Sequence, residues 1–297
     1  MNSSRARRGI LTAGLLVIAA PTPAAGQISA APRFTVSFQD FREIGDASGR
    51  VKALTGWALI ASTTFVRQRP KLDILDSLAR EVSRTYRLAY PIELRSEACS
   101  TELASYDPAT RRVTLCYELV ADIDSIVRAL FYWPGRSGAE VDADVISALR
   151  FVVLHEIGHA LIAMWHLPVT GRTEDAADQF AAVFLSDRQQ TLNVASRVFE
   201  TLAESQDTSM YALGDLHALA AQRAANLKCW ERSINVDAKG QNWDTTTADA
   251  AIGTILGIPP DRWEACPSEF AQIRESWQRL LRPYARDQQS HQTWKEH

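Results

Sequence analysis

Hydrophobic residues recur along this chain with two periods, and one stretch is apolar on almost every face. Alternation of period two reads as strand in Phe34-Thr35-Val36-Ser37-Phe38, Trp57-Ala58-Leu59-Ile60, Ile92-Glu93-Leu94 and Arg112-Val113-Thr114-Leu115-Cys116. Spacing of three to four predicts helices over 72–88, 117–132, 192–204, 213–233 and 270–281, with a loop-rich stretch between the last two. The run over 141–165 is different: Val145 to Leu154 holds no glycine or proline, and apolar side chains cover nearly the whole circumference. Such a helix is buried on most sides. Leu167-Pro168 ends it, a turn reaches Gly171, and a further helix is expected over 173–185 with Thr173 as its N-cap. Asp107-Pro108-Ala109-Thr110 is a turn signal that makes a hairpin with Arg112 to Cys116, and Ile92 to Leu94 is expected to enter that hairpin. Few strands among many helices predict an α+β fold, mainly helical and zincin-like, with a small sheet packed on the buried helix.

That buried helix carries His155-Glu156-Ile157-Gly158-His159, an H-E-x-x-H pattern. Residues four apart share a helix face, so the two imidazoles can hold one Zn²⁺, and Glu156 can reach a water beside it. Two imidazoles and a carboxylate in an apolar helix are costly without a partner, and a cation is the usual one. A catalytic zinc needs a third protein ligand. The metzincin extension would put Gly at 162 and His at 165, where the chain has Ile162 and Trp165; His166 is one residue out of register. The next helix offers Glu174, Asp175 and Asp178. Glu174 is the leading ligand, with Asp178 and Asp175 as alternatives. Glu174 and Asp178 share a face, so one can bind metal while the other accepts a hydrogen bond from the far nitrogen of a ligating imidazole.

Glu174, Ala177 and Asp178 form an E-x-x-A-D pattern that resembles the second motif of gluzincins related to the CAAX prenyl proteases, in which the Glu ligates zinc and the Asp orients a His. The fourteen residues between His159 and Glu174 are fewer than in most gluzincins. From about Pro91 to Pro283 the chain is similar to a bacterial family of metallopeptidase-like domains of unknown function. The likeness runs through Cys99, Tyr106-Asp107-Pro108, Cys116-Tyr117-Glu118, the H-E-x-G-H-A-L core, Leu167-Pro168-Val169, Glu174 to Gln179, His217, Gln222-Arg223, Cys229 and Cys266-Pro267.

This resemblance implies a zinc metallopeptidase acting on peptide or protein substrates. Zinc would lower the pKa of a water and polarise the scissile carbonyl, while Glu156 serves as general base and returns the proton to the leaving amine. His217 and Arg223 match the family pattern and both fall in the helix expected over 213–233, which makes them candidate catalytic donors to the oxyanion. By analogy with zincins, a hairpin strand could take an extended substrate by β-augmentation. Trp165 and His166 flank the motif and serve equally well as packing residues. The alternatives are a zinc-retaining binding or regulatory protein with little turnover, and a structural module in which zinc staples two helices. Neither needs Glu156.

Export is the other expectation. Arg5, Arg7 and Arg8 precede an apolar run from Gly9 to Ala20, and Ala24-Ala25-Gly26 offers small residues for cleavage. This pattern reads as a signal peptide over 1–26, followed by a single domain over 27–297 with its catalytic core at about 90–285. Arg7-Arg8 also fits a twin-arginine signal. The apolar run is about a dozen residues where spanning takes roughly twenty, so no stable membrane anchor is expected and the destination is periplasmic or secreted. Past residue 26 the chain holds 29 basic against 35 acidic side chains, which argues against nucleic acid as partner. Four cysteines in an exported chain suggest two disulfides. Three pairings are possible, and joining neighbours, Cys99 with Cys116 and Cys229 with Cys266, is the simplest. No C-x-x-C pair points to cysteine-bound zinc. Composition says nothing of oligomeric state.

Overall fold

A computed structural model of the chain describes residues 33–39, 74–99, 104–206, 208–209, 214–239, 253 and 257–286. The expected signal peptide over 1–26, the candidate strand over 57–60 and most of the stretch between 240 and 256 lie outside the described residues.

The architecture is α+β and mainly helical. Strands β1 (Phe34–Phe38), β2 (Ile92–Glu97), β3 (Ala104–Asp107) and β4 (Arg112–Cys116) form one sheet in the order β1-β2-β4-β3. Alternation decides which face is covered: Ile92, Leu94, Val113 and Leu115 are buried, while the residues between them are half-buried. β1 and β2 are parallel, so the chain must cross back between them, and helix α1 (Ile74–Thr85) lies in that connection. Its buried stripe is Ile74, Leu75, Leu78, Ala79 and Val82.

β2 does not join the hairpin as an antiparallel strand. It pairs with β4 in parallel, Glu93 opposite Arg112 and Glu97 opposite Cys116. The antiparallel partner of β4 is β3, a four-residue edge strand without an apolar run of its own. The turn between them is closed by Asp107, whose carboxylate accepts from the Ala109 N–H at 2.9 Å and the Thr110 hydroxyl at 2.7 Å.

The cysteines are joined as neighbours. Cys99–Cys116 ties the exit of β2 to the end of β4, and Cys229–Cys266 ties two helices. Closing a loop of this size lowers the entropy of the unfolded chain, worth about 3 kcal/mol. Replacing Cys99 and Cys116 together by serine should lower unfolding free energy by about that amount in a denaturant titration. A loss below about 1 kcal/mol would show that the bridge constrains little.

Helix α2 (Tyr117–Phe131) follows β4 directly and leads to α3 (Gly138–Trp165), the long apolar helix. α3 starts three residues before the apolar run because Ser137 and Glu140 form a capping box: the Ser137 N–H donates to Glu140 at 2.7 Å, and the Ser137 hydroxyl accepts from the Glu140 N–H at 3.3 Å. It ends where His166 takes a left-handed conformation, φ 49°, ahead of Pro168. By length and composition α3 could cross a membrane, but it runs through the core with α2, α4 (Thr173–Phe184) and α5 (Gln189–Ser205) against it and β3 and β4 at its side. The sheet thus packs on the H-E-x-x-H helix.

Other helix boundaries depart from expectation as well. Thr173 is the first residue of α4, not its cap; Arg172 holds that position with no side-chain bond. α6 (Ala220–Lys239) begins seven residues later than the periodicity suggested, because the Asp215 carboxylate takes the His217 N–H at 3.1 Å in a bend before the helix. α7 (Pro260–Leu281) begins ten residues earlier and runs through Pro267. Proline there deprives the Trp263 carbonyl of its helical donor, and Arg232 of α6 supplies one instead, Nη1 to oxygen at 2.9 Å.

Candidate metal centre

Burial of α3 brings His155 and Glu156 into the protein interior, 3% and 7% exposed, with His159 one turn further along the same face. α4 must come close for its acids to meet them. Gly158 permits this: a Cβ there would stand 3.2 Å from the Ala177 Cα and 3.1 Å from Phe180 Cδ1. With no side chain between the helices, α4 lays Glu174 across both imidazoles.

The three side chains converge on one point. Glu174 Oε2 lies 3.1 Å from His155 Nε2 and 3.2 Å from His159 Nε2, and the two Nε2 atoms are 3.1 Å apart. His155 Nδ1 donates to Asp178 Oδ1 at 2.7 Å, which turns Nε2 towards that point. Asp175 turns aside to Arg172 at 3.0 Å. Of the three acids considered as ligands, Glu174 alone therefore reaches both Nε2 atoms. Cys99, Cys116 and Glu118 also cluster, but sulfurs joined in a disulfide cannot ligate as thiolates.

Behind Asp178 stands Arg223. Its Nε and Nη2 donate to the two Asp178 oxygens at 2.8 and 2.7 Å, and its guanidinium lies 4.1 Å above the Phe199 ring. Burial alone would raise Asp178, but Arg223 and His155 outweigh it and hold the carboxyl down at about 2. Burial works against charge on His155 as well, yet Asp178 and Glu174 push its pKa up to about 9. Glu174 is held well below the usual carboxylate range by His155, His159 and His217 against the effect of burial. Burial raises Glu156, whose Oε1 is 4.0 Å from His155 Nε2.

His217 reaches this cluster from the bend before α6, not from a shared helix with Arg223. Its Nε2 approaches Glu174 Oε2 at 2.8 Å, and its ring stacks on His155 at 6.0 Å, half-exposed to solvent. The cleft in front, about 370 Å³, is bounded by Ala104, Ser105 and Tyr106 of the edge strand on one side and by Glu156, His159, Glu174 and His217 on the other. Trp165 faces elsewhere, stacked on Tyr284 at 4.1 Å, and His166 is the exposed C-cap.

The donor set fits a divalent metal. Tetrahedral bonds of about 2.0–2.1 Å set ligand atoms roughly 3.3 Å apart, close to the spacing of these three. Electron-pair donors so placed repel unless a cation or shared protons lie between them, and His155 already spends its Nδ1 proton on Asp178.

A buried H-E-x-x-H helix crossed by an acid-bearing helix, in a mainly helical α+β fold, defines a candidate metal-dependent enzyme. The chain belongs to the family described as "Putative metallopeptidase", whose model matches residues 63–281. No curated protein and no solved structure matches it.

The motif on one helix and the acids on the next were readable from spacing. Gly158 as the point of contact and Arg223 as the partner of Asp178 were not, since a glycine does not signal Ala177 nineteen residues on, nor an arginine Asp178 forty-five residues back.

Proposed function

We propose that the protein is an exported zinc peptidase that holds Zn²⁺ through His155, His159 and Glu174 and hydrolyses peptide bonds with Glu156 as general base. The observation that carries this reading is the convergence of three ligand atoms beside a buried carboxylate that none of them needs for its own placement.

Bound there, zinc would polarise the substrate carbonyl and acidify a water. Glu156, its pKa raised by burial, accepts the proton of the attacking water and passes it to the departing amine. Asp178 keeps the His155 proton on Nδ1, and Arg223, through Nε and Nη2, keeps Asp178 ionised and fixed. His217, half-exposed at the cleft, is the side chain placed to donate to the developing oxyanion. The edge strand β3 along the cleft can pair with an extended peptide by main-chain hydrogen bonds. Export is supported by the basic and apolar N-terminus and by the two disulfides, which persist in oxidising compartments.

Elemental analysis of the purified chain should find about one zinc per molecule. Less than roughly a tenth of an equivalent after zinc is offered would sink the reading, as would failure of the metal-loaded protein to cleave any member of a peptide library.

A further inference from the structure

The disulfide between Cys99 and Cys116 lies against a buried carboxylate. Glu118 stands two residues past Cys116, is 7% exposed, and accepts the Cys99 N–H on Oε2 at 3.1 Å. The ligand atoms of the three side chains all lie within 4.8 Å of one another. Cys116 is the N-cap of α2 and makes no side-chain cap bond, so its sulfur and the Glu118 carboxylate share the helix end where unpaired N–H groups favour negative charge. β2 delivers Cys99 from the other side, because its parallel register sets Glu97 opposite Cys116.

Burying a carboxylate is costly, and a sulfur–sulfur bond returns nothing to it. A dication would, since two thiolates and a carboxylate are a donor set that zinc and softer metals accept. Zn–S bonds of about 2.3 Å put tetrahedral sulfurs roughly 3.8 Å apart, a separation within reach of side-chain rotation when the Cα atoms are 5.5 Å apart. Access favours this disulfide over the other. Cys99 is half-buried, whereas Cys229 and Cys266 are both fully buried, so a reductant meets Cys99–Cys116 first.

We propose that Cys99, Cys116 and Glu118 form a second metal site, for a thiophilic dication of the zinc and cadmium class, which exists only when the disulfide is reduced. A dithiol reductant supplies two electrons and two protons and is itself oxidised to a disulfide, leaving Cys99 and Cys116 as thiols. Each thiol releases its proton to solvent as its sulfur bonds the cation, and Glu118 binds as the third ligand. The cation then ties the exit of β2 to the start of α2 in place of the sulfur–sulfur bond. The assignment does not rest on the peptidase reading above.

The test uses the full chain, Cd²⁺ as the probe, and a phosphine, which is oxidised to its oxide and adds no thiol of its own. Reduction is taken to the point at which alkylation labels Cys99 and Cys116 alone. The reduced chain should bind one Cd²⁺ more than the oxidised chain, whatever the H-E-x-x-H helix holds, and the added ion should give a thiolate-to-metal charge-transfer band in the near ultraviolet. Glu118→Gln should weaken the added ion by at least the roughly tenfold that losing a mere supporting contact costs. Replacing Cys99 and Cys116 together by serine should abolish the band. Should the reduced chain lose its circular dichroism, reduction in the presence of Cd²⁺ should preserve it. A folded, reduced chain that takes up no added ion, an added ion held equally well by Glu118→Gln, or unfolding that Cd²⁺ does not prevent would overturn the site.

Discussion

Glu156→Gln should reduce peptide hydrolysis by at least about a hundredfold while leaving one metal per chain and an unchanged melting temperature. Glutamine keeps the shape of the side chain and removes its basicity. Among the described residues Glu156 makes no ion pair closer than the 4.0 Å approach to His155, so little of the described fold depends on its charge. Its burial in fact disfavours that charge, and relieving a buried carboxylate should if anything stabilise the protein slightly. The decisive comparison is kcat/KM against metal content measured on the same preparation. Near-normal turnover with full metal would show that another group moves the proton; lost activity together with lost metal would mean that Glu156 is a ligand.

The parts of the site that were legible in the sequence are those whose geometry is local. His155 and His159 are four residues apart on one helix, and Glu174 and Asp178 four apart on the next, so helical periodicity alone aligns each pair. What joins the two helices is not local. Gly158 looks like a helix-weakening residue until Ala177 is seen 3.2 Å from where its Cβ would stand. The strands show the same division: alternation identified β2 and β4, but nothing in Ile92-Glu93-Leu94 tells a parallel neighbour from an antiparallel one, and Ala104-Ser105-Tyr106-Asp107 is too short and polar to announce an edge strand. Helix ends failed where a side chain overrode periodicity. Asp215 captured the His217 N–H before α6 could begin, and Arg232 made Pro267 tolerable inside α7. One end of the apolar stripe of α2 lines open space beside Glu156, which helical spacing does not distinguish from a stripe packed wholly on protein.

Glu174→Ala should abolish tight zinc binding, whereas Asp178→Asn should weaken it by roughly 10 to 100-fold. The difference follows from which atoms each carboxylate meets. Glu174 Oε2 stands within 3.2 Å of both Nε2 atoms, so its removal leaves two protein ligands where three converge. Asp178 meets only the far nitrogen of His155, at 2.7 Å, and asparagine can still accept that bond if its amide oxygen faces the ring. The substitution cannot be neutral, however, because the same carboxylate accepts two bonds from Arg223, and a half-buried guanidinium would lose its counter-charge. Arg223→Met should therefore also lower zinc affinity in the wild-type background. In the Asp178→Asn background it should add little, since its effect passes through that carboxylate. Chelator competition on the four proteins, with melting temperatures measured beside it, separates these outcomes. Zinc retained by Glu174→Ala and lost by Asp178→Asn would exchange the two roles, and additive losses in the double variant would show that Arg223 acts on the site by some other route.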